Sequence, residues 1–288
     1  MPTQANGEPF AVEVQDVKYQ VQDGKAWLAR LYRPLGEGPF PAIVDVHGGA
    51  WHNGDRMNNV GIDEALAARG ILVAALDFHQ PPEAGYPASI ADVNLGIRWL
   101  KAHAADFHGA PAVGAFGNSS GGHQVVLSAL RPRDPRYASL PLEEGPEVDA
   151  TLAYVIAGWP VIDPLFRFRF AQREDRKELV AAHLEYWGSE QAMAEGSPQT
   201  VVEEDEGIEL PPILMVLKEN DGNHPLEMQE RFIASYRARG GPIEVETFVG
   251  LSEHRMRPSP DQPETIRAID TMVSFARRHT PGVSAALT

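Results

Sequence analysis

The sequence predicts an α/β fold, with a mostly parallel central sheet covered by helices on both faces. Three observations carry this expectation. Short apolar runs alternate with helix-like segments along the 288 residues, as strand–helix repeats do. The middle runs are apolar throughout, as strands buried between two helical layers are. A chain of this length often forms one α/β unit and buries roughly 75% of the surface its unfolded form exposes.

The elements follow in order. Residues 12–21 alternate well enough for a strand, and 27–31 form a second, stopped by Pro34 and Gly36. Residues 41–46 form a third, compact and rich in β-branched side chains, followed by runs at 71–78, 113–116, 152–157, 213–217 and 243–249. Helices are expected between them. Residues 62–69 end at Gly70, a normal C-terminal stop. Residues 89–107 carry Ile90, Val93, Leu95, Ile97, Leu100 and Ala104 roughly along one face. Residues 121–130 enter through glycines, and 225–239 and 263–278 each start at a proline. Two stretches interrupt the rhythm. Residues 131–148, rich in Pro, Arg and Glu, read as a surface excursion. Residues 161–210 read as a cap insertion over one end of the sheet, aromatic in their first half and acidic at Glu203–Glu206. The expected organisation is therefore one domain over 1–288 with a cap insertion at about 161–210.

The formal net charge of −15 opposes binding to phosphate backbones and anionic lipid heads, so neither nucleic acid nor membrane is an expected partner. The polar start, Met1 to Phe10, has no basic and apolar tandem of a signal peptide, and no apolar run is long enough to span a bilayer. The absence of cysteine removes thiol nucleophiles and thiolate metal sites and is compatible with a cytoplasmic location. The histidines do not pair with carboxylates at metal-ligand spacing, and there is no P-loop. No metal or other cofactor is expected. Oligomeric state is left open, a homo-oligomer included.

Gly117-Asn118-Ser119-Ser120-Gly121 fits G-x-S-x-G. The pattern alone is weak, but here it follows a strand run and leads into a helix run, the context of a nucleophile elbow. A serine on so sharp a turn crowds its neighbours, which glycines at −2 and +2 relieve. Only Ser119 has both, so it is preferred over Ser120. The following helix start aims amides and partial positive charge at a developing oxyanion. His47-Gly48-Gly49-Ala50-Trp51 directly follows the third strand run, where glycines let backbone amides approach a substrate oxygen. The candidate oxyanion donors are the amides of Gly49, Ala50 and Ser120. The plain alternatives are two glycine-rich turns and a solvated serine, but both motifs in this order are less expected by chance than either alone.

Together HGGAW and GNSSGGH resemble the hormone-sensitive-lipase-like branch of the α/β-hydrolases and its acetyl and feruloyl esterase neighbours. Leu76-Asp77-Phe78 with Pro82-Glu83-Ala84-Gly85-Tyr86-Pro87, then Ser197-Pro198, Pro211-Pro212-Ile213-Leu214 and Asp221, extend the similarity from about Phe40 to the end. Ala50 replaces the third glycine of HGGG, as in kynurenine formamidases, Asn118 stands where that branch often has Asp, and Ser120 replaces the common Ala. The resemblance implies the α/β-hydrolase fold and a carboxylesterase acting on small to medium acyl esters through a Ser-His-Asp triad. The alternatives are an arylformamidase or amidase with the same triad, and a non-catalytic binding protein on the same fold.

In this fold the triad order is Ser, acid, His. Asp221 matches the family's D-x-x-V-P element after the seventh strand run, with Glu219 and Asp163 as rivals and an Asp-Gly turn as the plain reading. His47 and His52 lie in the oxyanion loop, His79, His103, His108 and His123 before or just after the nucleophile, His183 in the cap, and His279 on the last helix. His224 stands only three residues from the acid. That leaves His254, in a loop after the last strand run, as the expected base. Trp51 and Trp159 are candidate pocket residues, with Phe166, Phe168, Phe170, Tyr186 and Trp187 beside them, although packing of cap onto body accounts for most such residues. Arg167, Arg169, Arg173 and Arg176 could attract an acidic substrate, and a solvated charged face is the plainer reading.

Overall fold

The computed structural model describes residues 8–22, 24–250 and 262–283. Eight strands form one sheet: β1 Val12–Gln22, β2 Lys25–Pro34, β3 Phe40–Val46, β4 Leu72–Leu76, β5 Gly109–Asn118, β6 Val155–Gly158, β7 Ile213–Lys218 and β8 Ile243–Phe248. Their order is β1-β2-β4-β3-β5-β6-β7-β8. β2 is antiparallel to both β1 and β4, and every other pairing is parallel. Parallel strands need crossovers, and the helices α1 Val60–Ala67, α2 Ala88–His103, α3 Ser120–Leu130, α8 Leu226–Ala238 and α9 Pro263–Arg278 flank them.

Side chains alternate across each strand, so β3 and β4 feed two cores. Ala42, Val44, Val46, Leu72, Ala74 and Leu76 face a layer containing Ile90, Val93 and Ile97 of α2, Val125 of α3 and Phe232 of α8. Ile43, Val73 and Ala75 face Ile62 and Leu66 of α1 and Ile269 and Met272 of α9. Burial on both faces explains why β4 reads as an unbroken apolar run and β3 as one interrupted only by Asp45.

α2 stops at His103, and a single 3₁₀ turn, Ala104–Phe107, carries the chain to His108, whose left-handed φ of 61° ends the run that the sequence extends to 107. Between β6 and β7 run four helices, α4 Pro164–Arg173, α5 Lys177–Trp187, α6 Glu190–Glu195 and α7 Pro198–Glu204. Three start on capping side chains: Asp163, Ser189 and Ser197 each accept from the backbone N–H three residues on. Among the described residues no helix is long and apolar enough to cross a membrane.

Candidate active site

The parallel register brings the C-terminal ends of four strands together. Val46 at the end of β3 pairs with Gly117, and Asn118 at the end of β5 pairs with Gly158 of β6. Gly158 in turn pairs with Val216 of β7. The loops that leave these ends converge outside the sheet, where open α/β sheets form their sites.

Ser119 occupies the turn between β5 and α3 with φ 52° and ψ −118°, a conformation costly for a residue with a Cβ. Hydrogen bonds hold it there: its N–H donates to the Gly158 carbonyl at 2.8 Å, and its own carbonyl accepts from Val161 at 3.0 Å and His123 at 3.1 Å. The close approach of helix to sheet excludes a side chain at Gly121, whose added Cβ would lie 1.9 Å from the Val46 carbonyl oxygen. The first amides of α3, Ser120 among them, have no acceptor inside the helix.

The loop after β3 turns through three consecutive positive φ values, at Gly49 (120°), Ala50 (54°) and Trp51 (61°). A Cβ at Gly49 would fall 1.9 Å from the Asn53 carbonyl oxygen, so this residue is confined to glycine. The Gly48 N–H donates to Asn118 Oδ1 at 2.8 Å, which ties the loop to the residue before Ser119. His47 is buried, its Nδ1 donates to the Gly48 carbonyl at 2.7 Å, and its ring stacks on Phe78. Burial holds its pKa below the ordinary imidazole value.

Trp51 is 1% exposed and packs in a core with Val161, Phe168, Tyr186, Trp187 and Met193, mostly from the helical excursion. Its place is therefore in packing between loop and excursion, not along an open pocket wall. Its Nε1–H donates to His123 Nδ1 at 3.1 Å, which requires His123 Nε2 to carry the proton donated to the Gly196 carbonyl at 2.8 Å. Burial keeps that imidazole neutral, with its pKa pushed down to about 4. Trp159, 2% exposed, instead borders a cavity of about 500 Å³ with Lys218, Asp221, His224 and Thr247. A wider cleft of about 930 Å³ opens between Ala50, His52 and Asn53 on the loop and Arg167, Arg176 and Ala182 on the excursion.

The loop after β7 carries Asp221 and His224. Asp221 Oδ1 accepts from the N–H groups of Asn223 at 2.9 Å and His224 at 3.2 Å. The chain curls around its own carboxylate, and Asp221 Oδ2 reaches His224 Nδ1 at 2.9 Å and Lys218 Nζ at 3.1 Å. Nδ1 is thus the donor, and Nε2, free to accept, lies 3.0 Å from Ser119 Oγ. Burial alone would raise the Asp221 pKa. The hydrogen bond and charge of His224, the Asn223 amide and the Lys218 ammonium outweigh it and hold the carboxyl well below its ordinary range. Burial lowers the His224 pKa, against the hydrogen bond that Nδ1 donates to Asp221, and the Arg167 charge lowers it further.

The sequence directs the base to His254, which lies outside the described residues. Among the described residues the imidazole in contact with Ser119 is His224. Its short spacing from the acid argues against it only if the chain runs straight, and the Asp221 turn removes that objection. The sequence signal was Asp-Gly-Asn-His, a carboxylate followed by turn residues. Of the rivals to Asp221, Asp163 caps α4 through the Phe166 N–H, and Glu219, on the rim of the same cavity as Asp221, is exposed.

A strand–turn–helix serine at the C-terminal edge of a mostly parallel eight-stranded sheet, with an imidazole and a carboxylate behind it, is the arrangement of the α/β-hydrolase fold. The BD-FAE family model matches residues 30–234, and the chain belongs to that family. Among curated proteins it is 29% identical over 204 residues to esterase LipC and 26% identical over 211 residues to the probable carboxylic ester hydrolase LipM, both of Mycobacterium tuberculosis. Each match covers 69% of this chain but 49% of LipC and 46% of LipM, so the chain spans about half the length of these relatives. Among solved structures, esterase Est2 of Thermogutta terrifontis with propionate bound superposes with a TM-score of 0.72 at 23% identity, covering 96% of each chain. The inhibited esterase B of Lactobacillus rhamnosis gives a TM-score of 0.73 at 21% identity, covering 93% of this chain and 88% of that one. These likenesses establish the α/β-hydrolase fold.

Proposed function

We propose that the chain is a carboxylesterase that hydrolyses small to medium acyl esters through an acyl-enzyme on Ser119. The observation that carries this reading is the 3.0 Å contact of Ser119 Oγ with His224 Nε2, backed by the 2.9 Å contact of His224 Nδ1 with Asp221. The ester hydrolase names of LipC and LipM support the same chemistry.

The imidazole takes the Ser119 proton as Oγ attacks the ester carbonyl. The tetrahedral oxyanion is held by the amides of Gly49, Ala50 and Ser120, each worth on the order of 3 kcal/mol of transition-state stabilisation. The imidazolium then protonates the leaving alcohol, and water repeats the cycle on the acyl-enzyme. Asp221 fixes the tautomer and stabilises the imidazolium. No step requires a cofactor. The contact geometry supports His224 as base, and the family-like Gly250-Leu251-Ser252-Glu253-His254 segment supports His254. His224→Ala and His254→Ala, assayed side by side with p-nitrophenyl acetate, separate them: the base is the one whose loss lowers kcat by about 10³-fold or more.

The four helices between β6 and β7 serve as a cap, and the cleft of about 930 Å³ beside Ala50 is the proposed substrate entrance. The HGGAW form favours one second reading, an arylformamidase. Aryl formamides and p-nitrophenyl esters of two to eight acyl carbons, compared by kcat/KM, decide between them. The negative net charge and absence of cysteine fit a cytoplasmic enzyme acting on small molecules.

A further inference from the structure

Beneath the glycine loop lies a buried polar chain that the catalytic scheme does not use. Asp45, on β3 just before that loop, is 1% exposed. Both its carboxyl oxygens accept from Asn59 Nδ2, at 2.9 and 3.2 Å. The same Asn59 amide lies 3.4 Å from Asn118 Oδ1, and Asn118 Oδ1 also accepts the Gly48 N–H at 2.8 Å. Asn59 and Asn118 are themselves buried. The chain therefore runs from a carboxyl through two side-chain amides to the backbone of the loop. It orients the Asn118 amide with its oxygen toward Gly48, because both of its neighbours are donors. The Gly48 N–H is consumed in this contact, which sets the direction of the peptides that follow, those of Gly49 and Ala50.

A second carboxyl stands behind the first. Asp63 on α1 is fully buried, and neither of its oxygens has a hydrogen-bond partner among the described residues. Tyr32 and Glu64 are the other titratable groups bearing on this pair. A charged side chain at position 118 would add a third carboxyl to a buried cluster that already holds two, and burying a charge without a partner is strongly unfavourable.

We propose that Asp45 is a positioning residue for the oxyanion loop, acting through Asn59 and Asn118 on the Gly48 amide, and that Asp45 and Asn118 are a matched pair in which only one of the two is a carboxyl. The effect on turnover rests on the esterase reading above. The positioning itself does not.

The test is a double-mutant cycle of Asp45→Asn, Asn118→Asp and the combined variant. Two readouts are followed: p-nitrophenyl acetate kinetics, and hydrogen–deuterium exchange of peptides covering residues 46–51. Each single variant is expected to lower kcat about 10- to 100-fold with KM within about threefold, the size of effect that a shifted oxyanion donor has. Each is also expected to speed exchange in 46–51. The combined variant, which moves the carboxyl from 45 to 118, recovers most of both losses. Single variants with unchanged exchange in 46–51, or a combined variant whose losses multiply, would overturn the proposal. If the wild type hydrolyses nothing, the esterase reading fails, and the exchange arm still decides the positioning.

Discussion

Ser119 Oγ and His224 Nε2 stand 3.0 Å apart although 105 residues separate them in the chain. The contact exists because β5 and β7 end at the same edge of the sheet, with β6 between them. The serine arrives on a strained turn and the imidazole on a loop folded around its own carboxylate.

The burial of His224 gives a pH profile with a definite sign. Burial and the Arg167 charge favour the neutral ring, so the base stays unprotonated to lower pH than a free imidazole. The acid limb of kcat/KM is expected below pH 6.5, the ordinary imidazole value. A limb at or above 6.5 would point to an imidazole other than this one, and His254 would then be the first to examine.

Trp51 joins the glycine loop to the excursion. Its ring stacks on Tyr186 at 5.3 Å and meets Trp187 edge-on at 5.5 Å. Trp51→Ala is expected to destabilise the fold by about 3–5 kcal/mol, as loss of a large buried aromatic does. Trp51→Phe, which keeps a ring but loses the bond to His123, is expected to cost less, about 1–3 kcal/mol. Urea unfolding of the three proteins measures both, and equal costs would contradict a packing role.

Asp45 links stability to pH. Burial raises its pKa to about 7, against the Asn59 hydrogen bond. The native state thus keeps a proton that the unfolded chain releases above about pH 4, and this group makes the fold less stable as pH rises from about 4 to 7. The neutral buried His123 and His183 act in the opposite direction, so the informative quantity is the difference between wild type and Asp45→Asn. That difference is expected to move in favour of the variant by up to about 1.4 kcal/mol per pH unit across this window. A difference independent of pH would show that Asp45 does not retain its proton.

Much of this is legible in the sequence alone. Every strand run has its strand, because residues such as Ile43 and Val44 must be apolar on both faces of a covered sheet. The position of Ser119 was legible because a sharp strand-to-helix turn demands small neighbours, and Gly121 supplies one directly under the Val46 carbonyl. His224 was not, since its role depends on the curl around Asp221, a property of backbone direction and not of spacing. Nor was the Asp45–Asn59–Asn118 chain. Its members come from three elements and share no periodicity, and a lone Asp in an apolar strand carries no sign of its partners.

The central claim is an acyl-enzyme on Ser119. The most direct measurement is labelling of the folded protein with a fluorophosphonate probe, alongside p-nitrophenyl acetate hydrolysis, in wild type and Ser119→Ala. The wild type is expected to be labelled on the peptide containing Ser119 and to turn over the ester. The variant, folded and of similar Tm, is expected to do neither. A folded wild type that takes no label, or a variant that keeps both activities, would contradict it.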